Sequence, residues 1–273
     1  MIVLSAIVCT FAVWWFMQKP SHSRVWADDV TYLLKSELDG NKVKLMNVRN
    51  FEWRSETDYT PRWETRDYDL SLLQSADLVL SYWMGPHIAH TLVSFGFSDG
   101  RQLVFSLEIR KQRGEAFSAI AGFFRQYETI IVAADEKDIL RVRSNVRDED
   151  VYLYRMDIAP EQLHTLFLGY LNRAASLEKG PSFYNTLTSN CTTVVYQLAK
   201  LVVPGLPLDY RLLASGHFAE YVHEQGGLIK NVPFETLRRL GRITDRAKAT
   251  GINEDYSKAI RMGVPGVVEQ ESD

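Results

Sequence analysis

Cys191, in "TSNCTTVV", is a thiol placed at the edge of an apolar run rather than inside it. Ser189 or Asn190 is suited to cap a helix that begins at Cys191. A cysteine in that first turn faces the positive end of the helix dipole, which favours thiolate over thiol. Its backbone N–H lacks an intrahelical partner and is free to meet a developing oxyanion. A thiolate enzyme also needs a base. Six histidines are present: His22, His87, His90, His164, His217 and His223. His90 opens the strand-like run "AHTLVSFGF", and a base on a strand is held more firmly than one on a loop. Glu108 lies in the following run, "RQLVFSLEIR", where alternation puts Ser106, Glu108 and Arg110 on one face. A short hairpin would make Glu108 a cross-strand neighbour of His90 and its orienter, giving a Cys–His–Glu arrangement. The plainer readings stand beside this one. Cys191 could be a small residue packed where helix meets sheet, and Glu108 a surface carboxylate or a partner for Arg110 or Arg101.

The elements that must position these residues are legible in outline. "NKVKLMNVRNF", "DLVLSYW", "AHTLVSFGF", "RQLVFSLEIR", "YETIIVAA" and "DVYLYRM" read as strands. "SDG" supplies the turn between the third and fourth. From Pro160 the period becomes helical, with Leu163, Leu166, Phe167, Tyr170 and Leu171 on one stripe. "CTTVVYQLAKLV" is a second helix, ended by "PGLP", and short helices with loops follow from about Pro207. The class is therefore α+β, with a mostly antiparallel sheet first and helices after it.

The N-terminal "MIVLSAIVCTFAVWWFM" carries no charge. It is read as an uncleaved transmembrane anchor over residues 1–18, with Trp14 and Trp15 at the interface. The rival is a secretory signal, although no small-residue cleavage site follows. Residues 19–30 read as a polar linker and 31–273 as one catalytic domain. Cys9 lies in the apolar run, so a disulfide with Cys191 is not expected. The 273 residues hold 31 basic and 34 acidic side chains, which gives no field for nucleic acid. There is no P-loop, dinucleotide or zinc-protease pattern, and no metal or cofactor is expected. Asp135, Glu136 and Asp138 do not have calcium-loop spacing and read as caps or partners for Arg141 and Arg143. Arg125 and Glu128 read as an ion pair.

Several long motifs in order, "NVRNFEWRSETDYTPRWETRDYDL", "AHTLVSFGFSDGRQLVFSLEIRKQRGEAFSAIAGFFRQYE", "DEKDILRVR" and "FYNTLTSNCTT", resemble the Lnb N-terminal periplasmic domain family, linked to bacterial lipoprotein N-acylation. The resemblance runs from about Pro20 to "AIRMGVPG". It implies a permuted papain-like fold with NlpC-type and lecithin:retinol acyltransferase-like relatives, in which the histidine strand precedes the cysteine helix. It further implies Cys191 as nucleophile, His90 as base and Glu108 as third residue. Tyr184 and Asn190 are then candidates for binding the oxyanion or shaping the substrate site, and Arg110 and Arg113 for holding a lipid headgroup. The implied partners are a phospholipid acyl donor, a lipoprotein acceptor and the bilayer. The implied location is the bacterial inner membrane, with the catalytic domain in the periplasm. Trp53, Trp63, Tyr82 and Trp83 could line an acyl site or touch the bilayer, or simply pack in the core. A cysteine hydrolase (peptidase, cell-wall amidase or lipid deacylase) is the alternative enzyme, and a non-catalytic binding module the third reading.

Overall fold

The computed structural model describes residues 17–115, 127–251 and 254–267. Among the described residues ten strands come first: β1 Lys35–Asp39, β2 Lys42–Arg49, β3 Glu52–Trp53, β4 Tyr59–Thr60, β5 Trp63–Asp69, β6 Leu73–Tyr82, β7 Ala89–Phe97, β8 Gln102–Arg110, β9 Glu128–Ala134 and β10 Asp150–Arg155. The main sheet runs β1-β2-β9-β8-β7-β6-β10, with β5 also paired to β2, and β3 and β4 form a separate ribbon. Every pairing is antiparallel except the single parallel contact Arg49↔Ala134 between β2 and β9. The α+β expectation thus stands. The strands missed from sequence are the least apolar: all five residues of β1 are exposed, so no alternation marks it.

The helices are α1 Glu136–Arg141, α2 Pro160–Lys179, α3 Cys191–Val202, α4 Phe218–Glu224, α5 Phe234–Gly241, α6 Thr244–Ala249 and α7 Tyr256–Arg261. Both faces of the central strands are covered. On one face Phe95, Phe105, Phe167 and Tyr170 form an aromatic stack between β7, β8 and α2. On the other, Leu92, Val104 and Ile130 meet Ile139, Ala247 and Ile260. β7 is therefore nearly continuous in apolar character, as a strand buried on both faces must be. The β7–β8 turn closes as anticipated, with Gly100 at φ +86°. The predicted α2 stripe, Leu163 to Leu171, is the buried one.

Buried ion pairs tie the layers together. Asp138 accepts from Arg49, the Phe51 N–H and Trp53 Nε1. Arg261 on α7 reaches both Asp77 and Glu136. Asp135 pairs with Arg66. The acids of "AADEKD" are thus salt-bridge partners as read, but of Arg66, Arg261 and Arg49 rather than Arg141 and Arg143.

Nearly all of the run read as a membrane anchor, residues 1–16, lies outside the described residues, as does Arg125. Among the described residues no helix is long and apolar enough to cross a membrane. Residues 19–30 depart from a free linker. Ser21 N–H donates to Glu128, Arg24 pairs with the same carboxylate, and Ala27 N–H donates to the Lys111 carbonyl. Glu128 is buried and takes its ion pair from this segment, so residues 21–27 pack against the domain.

Candidate active site

Asn190 caps α3. Its side-chain oxygen accepts the Thr193 N–H at 2.8 Å, and Thr193 Oγ1 accepts the Asn190 N–H at 2.8 Å. This reciprocal pair fixes the first turn and leaves Cys191 at its mouth, 9 % exposed. Among the described residues nothing accepts the Cys191 N–H. The helix is docked on β7 by a hydrogen bond between Thr192 Oγ1 and Thr91 Oγ1, 2.8 Å. Thr192 Oγ1 also lies 3.9 Å from the Cys191 Sγ, and the Thr91 backbone N–H points at that sulfur.

The β7–β8 ladder stops at Leu92↔Ser106. Beyond it His90 still pairs with Ser81 on the β6 side, while its register partner across the gap is Glu108. His90 Nε2 lies 2.7 Å from Ser106 Oγ and 3.2 Å from Glu108 Oε1. Ser106 Oγ donates to Glu108 Oε1 at 2.7 Å, so it accepts from the Nε2–H, with the carboxylate beside it. That hydrogen bond sets the Nε2–H tautomer of the neutral ring, and the Cys191 thiol is among the groups that interact with the imidazole. Glu108 Oε1 also accepts from Arg143 at 2.9 Å, and Arg143 reaches Glu149 at 3.3 Å. Ser81 donates to Glu149, closing a buried relay behind the imidazole.

These neighbours set the protonation states. Burial pushes the Cys191 thiol up, but the charge and hydrogen bond of His90, with the Thr91 N–H and Thr192, bring it down to about 7. Burial and Arg143 push His90 down, while Glu108 and Cys191 more than offset them and raise it to about 9. Burial likewise pushes Glu108 up, yet His90 and Arg143 hold it well below the usual carboxylate range. These neighbours favour thiolate beside imidazolium, with a carboxylate behind it.

The structure thus brings Cys191, His90 and Glu108 together. Tyr184 is half-buried in the segment before α3, its N–H bonded to the Tyr127 carbonyl. Burial first, then the charges of Cys191 and Glu108, push its phenol well above the usual value, so it stays a donor close to the thiol. Asn190 serves first as a cap. Its amide nitrogen donates to the Thr186 carbonyl at 2.7 Å, and its oxygen is used in the cap. Arg110 and Arg113 are not drawn to the site. The Arg110 guanidinium lies 4.4 Å over the Trp26 ring and donates to the carbonyls of Val30 and Thr31, where burial lowers it to about 10. Arg113 is exposed and pairs with Asp28. Trp53 and Trp63 pack with Phe51 and Tyr59, away from the thiol, and Tyr82 donates to the Gly216 carbonyl.

Arg143, Ser106, Ser81 and Glu149 were not read as site residues. Ser106 had a signal, since it shares the face of Glu108 two residues on. Arg143 had none: it sits on a π-helical turn, Val142–Val146, that only the tertiary fold brings under Glu108. The larger cavities, about 350 Å³ beside Tyr82, Trp83 and Arg238 and about 380 Å³ beside Arg66 and Tyr256, are not lined by Cys191 or His90.

No curated protein and no solved structure matches the chain. The model of the Lnb N-terminal periplasmic domain matches residues 59–216, a stretch that spans β4 to the turn after α3 and contains His90, Glu108 and Cys191. That match takes in more than half of the sequence, and the chain belongs to the Lnb N-terminal periplasmic domain family, which places it in the periplasm.

Proposed function

We propose that this periplasmic domain is a cysteine acyltransferase, moving an acyl chain from a phospholipid to the N-terminal amine of a diacylglyceryl lipoprotein through a thioester on Cys191. The observation that carries the reading is the placement of Cys191 at the first turn of α3 beside His90, with Ser106, Glu108 and Arg143 behind the imidazole. The order of histidine strand before cysteine helix supports kinship with the permuted papain-like group. The uncharged run at residues 1–17 supports attachment to the inner membrane, where both substrates reside.

In the first half-reaction the Cys191 thiolate attacks the ester carbonyl, forming a C–S bond. The Cys191 N–H and the Tyr184 hydroxyl are the candidate donors to the developing oxyanion. Collapse breaks the ester C–O bond, and the His90 imidazolium gives a proton to the departing lysophospholipid. In the second, the neutral α-amine attacks the thioester, His90 takes the amine proton, and thiolate leaves. The exchange balances with no added reactant. Glu108 supports the imidazolium in both halves without exchanging a proton.

The test is expression of the chain in a strain depleted of its own lipoprotein N-acyltransferase, with lipoprotein N-termini read by mass spectrometry. N-acylation is expected from the wild type and not from Cys191→Ala or His90→Ala. A well-expressed, exported protein that yields no N-acylated product sinks the proposal. Release of free fatty acid instead makes the domain a hydrolase.

A further inference from the structure

The registers place five strand ends at one edge of the sheet: Tyr82 opposite Ala89, Tyr82 opposite Asp150, and Arg110 opposite Glu128. Cys191, His90 and Glu108 lie at this edge. So do several large apolar side chains that the fold leaves in water. Trp83 and Met84 follow β6, and Leu187 lies in the turn just before α3. Tyr210 and Leu213 belong to a segment clamped to the start of β7: Ala89 N–H donates to Ser215 Oγ and Gly216 N–H to the His87 carbonyl, each at 2.9 Å. The five side chains are 41–69 % exposed, more than core packing explains. The opposite end of β7 and β8 presents Ser98, Asp99, Gly100 and Arg101 instead.

The occupant is indicated by where the chain leaves. Ser21 and Arg24 are pinned to Glu128 at this same edge, and Met17, 72 % exposed, leads directly into the uncharged apolar sequence of residues 1–16. A run of that composition partitions into lipid. Its exit point brings the bilayer to the edge that carries the exposed aromatics and aliphatics, the residue types that settle in a lipid interface. Two cations at this edge, Arg113 and Lys111, are paired with Asp28 and Asp29, so they add little attraction to anionic lipid.

We propose that the Cys191 end of the sheet is a lipid-docking surface, in which Trp83, Met84, Leu187, Tyr210 and Leu213 enter the interface of a phospholipid bilayer and hold the thiol at its surface. The orientation is independent of whether the acyl group goes to an amine or to water.

The test uses the full chain with Cys9→Ser and Cys191→Ser. A fluorescent label is placed through Leu213→Cys or, as control, through Ser98→Cys at the β7–β8 turn. The protein is reconstituted into phosphatidylethanolamine–phosphatidylglycerol vesicles with or without nitroxide-bearing lipid. Nitroxide lipid is expected to lower emission at position 213 about twofold or more and to leave position 98 unchanged, also in high salt. Adding Trp83→Ser, Met84→Ser and Tyr210→Ser should weaken the quenching while circular dichroism stays native. Equal quenching at both positions, quenching at neither, or quenching untouched by the three serines overturns the surface. So does label burial without lipid, which would make a second copy of the chain the occupant. Because the labelled protein lacks the nucleophile, failure here leaves acyl transfer by the wild type standing.

Discussion

Glu108→Gln is the sharpest perturbation of the site. His90 titrates at about 9 rather than 6.5, a preference for imidazolium of about 3 kcal/mol. Glu108 is the leading group that raises it, against burial and Arg143. A hydrogen bond to a charged group is worth about 1.5–3 kcal/mol. Neutralising Glu108 removes that support and also leaves the Arg143 guanidinium, 2.9 Å away, facing the imidazole without its carboxylate. His90 then falls toward or below its ordinary value. Cys191, which burial pushes up and His90 brings down, rises in turn. A loss of about 1.4 kcal/mol lowers the ratio of thiolate to thiol tenfold. The assay is the rate of alkylation by iodoacetamide against pH, in a Cys9→Ser background. The sign is fixed by the directions. Thiolate is gained as pH rises through about 7, imidazolium is lost as pH rises through about 9, and steps that need both peak between. The wild-type alkylation midpoint should lie near 7, and Glu108→Gln should raise it by about one pH unit. Adding Arg143→Gln to Glu108→Gln should recover part of the loss, since the unpaired cation is then gone. An unchanged midpoint in Glu108→Gln would refute the linkage from Glu108 through His90 to the thiol.

Three further outcomes test the supporting structure. Gly216→Ala puts a methyl 2.2 Å from the Pro86 carbonyl oxygen, in backbone that cannot turn aside. It should cost about 1–3 kcal/mol in urea unfolding and slow alkylation of Cys191 by displacing the entry to β7. Phe167→Ala, which empties the space among Phe95, Phe97 and Phe105, should cost about 4 kcal/mol by the same measurement. Burial raises Glu136, but the charge and hydrogen bonds of Arg261 hold it below its ordinary value. Its contribution is therefore present above the unfolded carboxylate pKa and lost as pH falls below it. Glu136→Gln should destabilise by about 3 kcal/mol at pH 7 and flatten the acid limb of stability against pH.

Much of this was legible because local chemistry and global role agreed. The α3 boundary at Cys191 followed from one capping residue, and the His90–Glu108 pairing from one Asp-Gly turn, because register in a tight hairpin is set by the turn. Asn190 is a cap first, its oxygen holding the Thr193 N–H and one of its amide N–H groups the Thr186 carbonyl. Arg110 shares the alternation face of Glu108, but face says nothing of depth. At the strand end that side chain meets Trp26 and two carbonyls before it can meet a lipid. Arg143 was out of reach altogether, since a residue 35 positions from Glu108 on an irregular turn has no periodicity to betray it.

The faces of the sheet explain why the three residues meet where they do. α3 packs on the side of Thr91 and Phe105, as the Thr91–Thr192 bond shows. His90, Ser106 and Glu108 alternate with these and share the opposite face with Leu92 and Val104. A continuous ladder would therefore keep thiol and imidazole on opposite sides of a hydrogen-bonded sheet. They can meet only where the ladder ends, and it ends at Leu92↔Ser106, two residues short of His90 and Glu108. The opening lets the helix mouth reach between the strands. There the Thr91 N–H turns to the sulfur and the imidazole is left with Ser106 and Glu108 behind it. The arrangement of thiol, base and orienter is thus a property of one frayed strand pair and one helix cap, which is why the stretch with Cys191 at the edge of its apolar run, rather than inside it, is the one that can do chemistry.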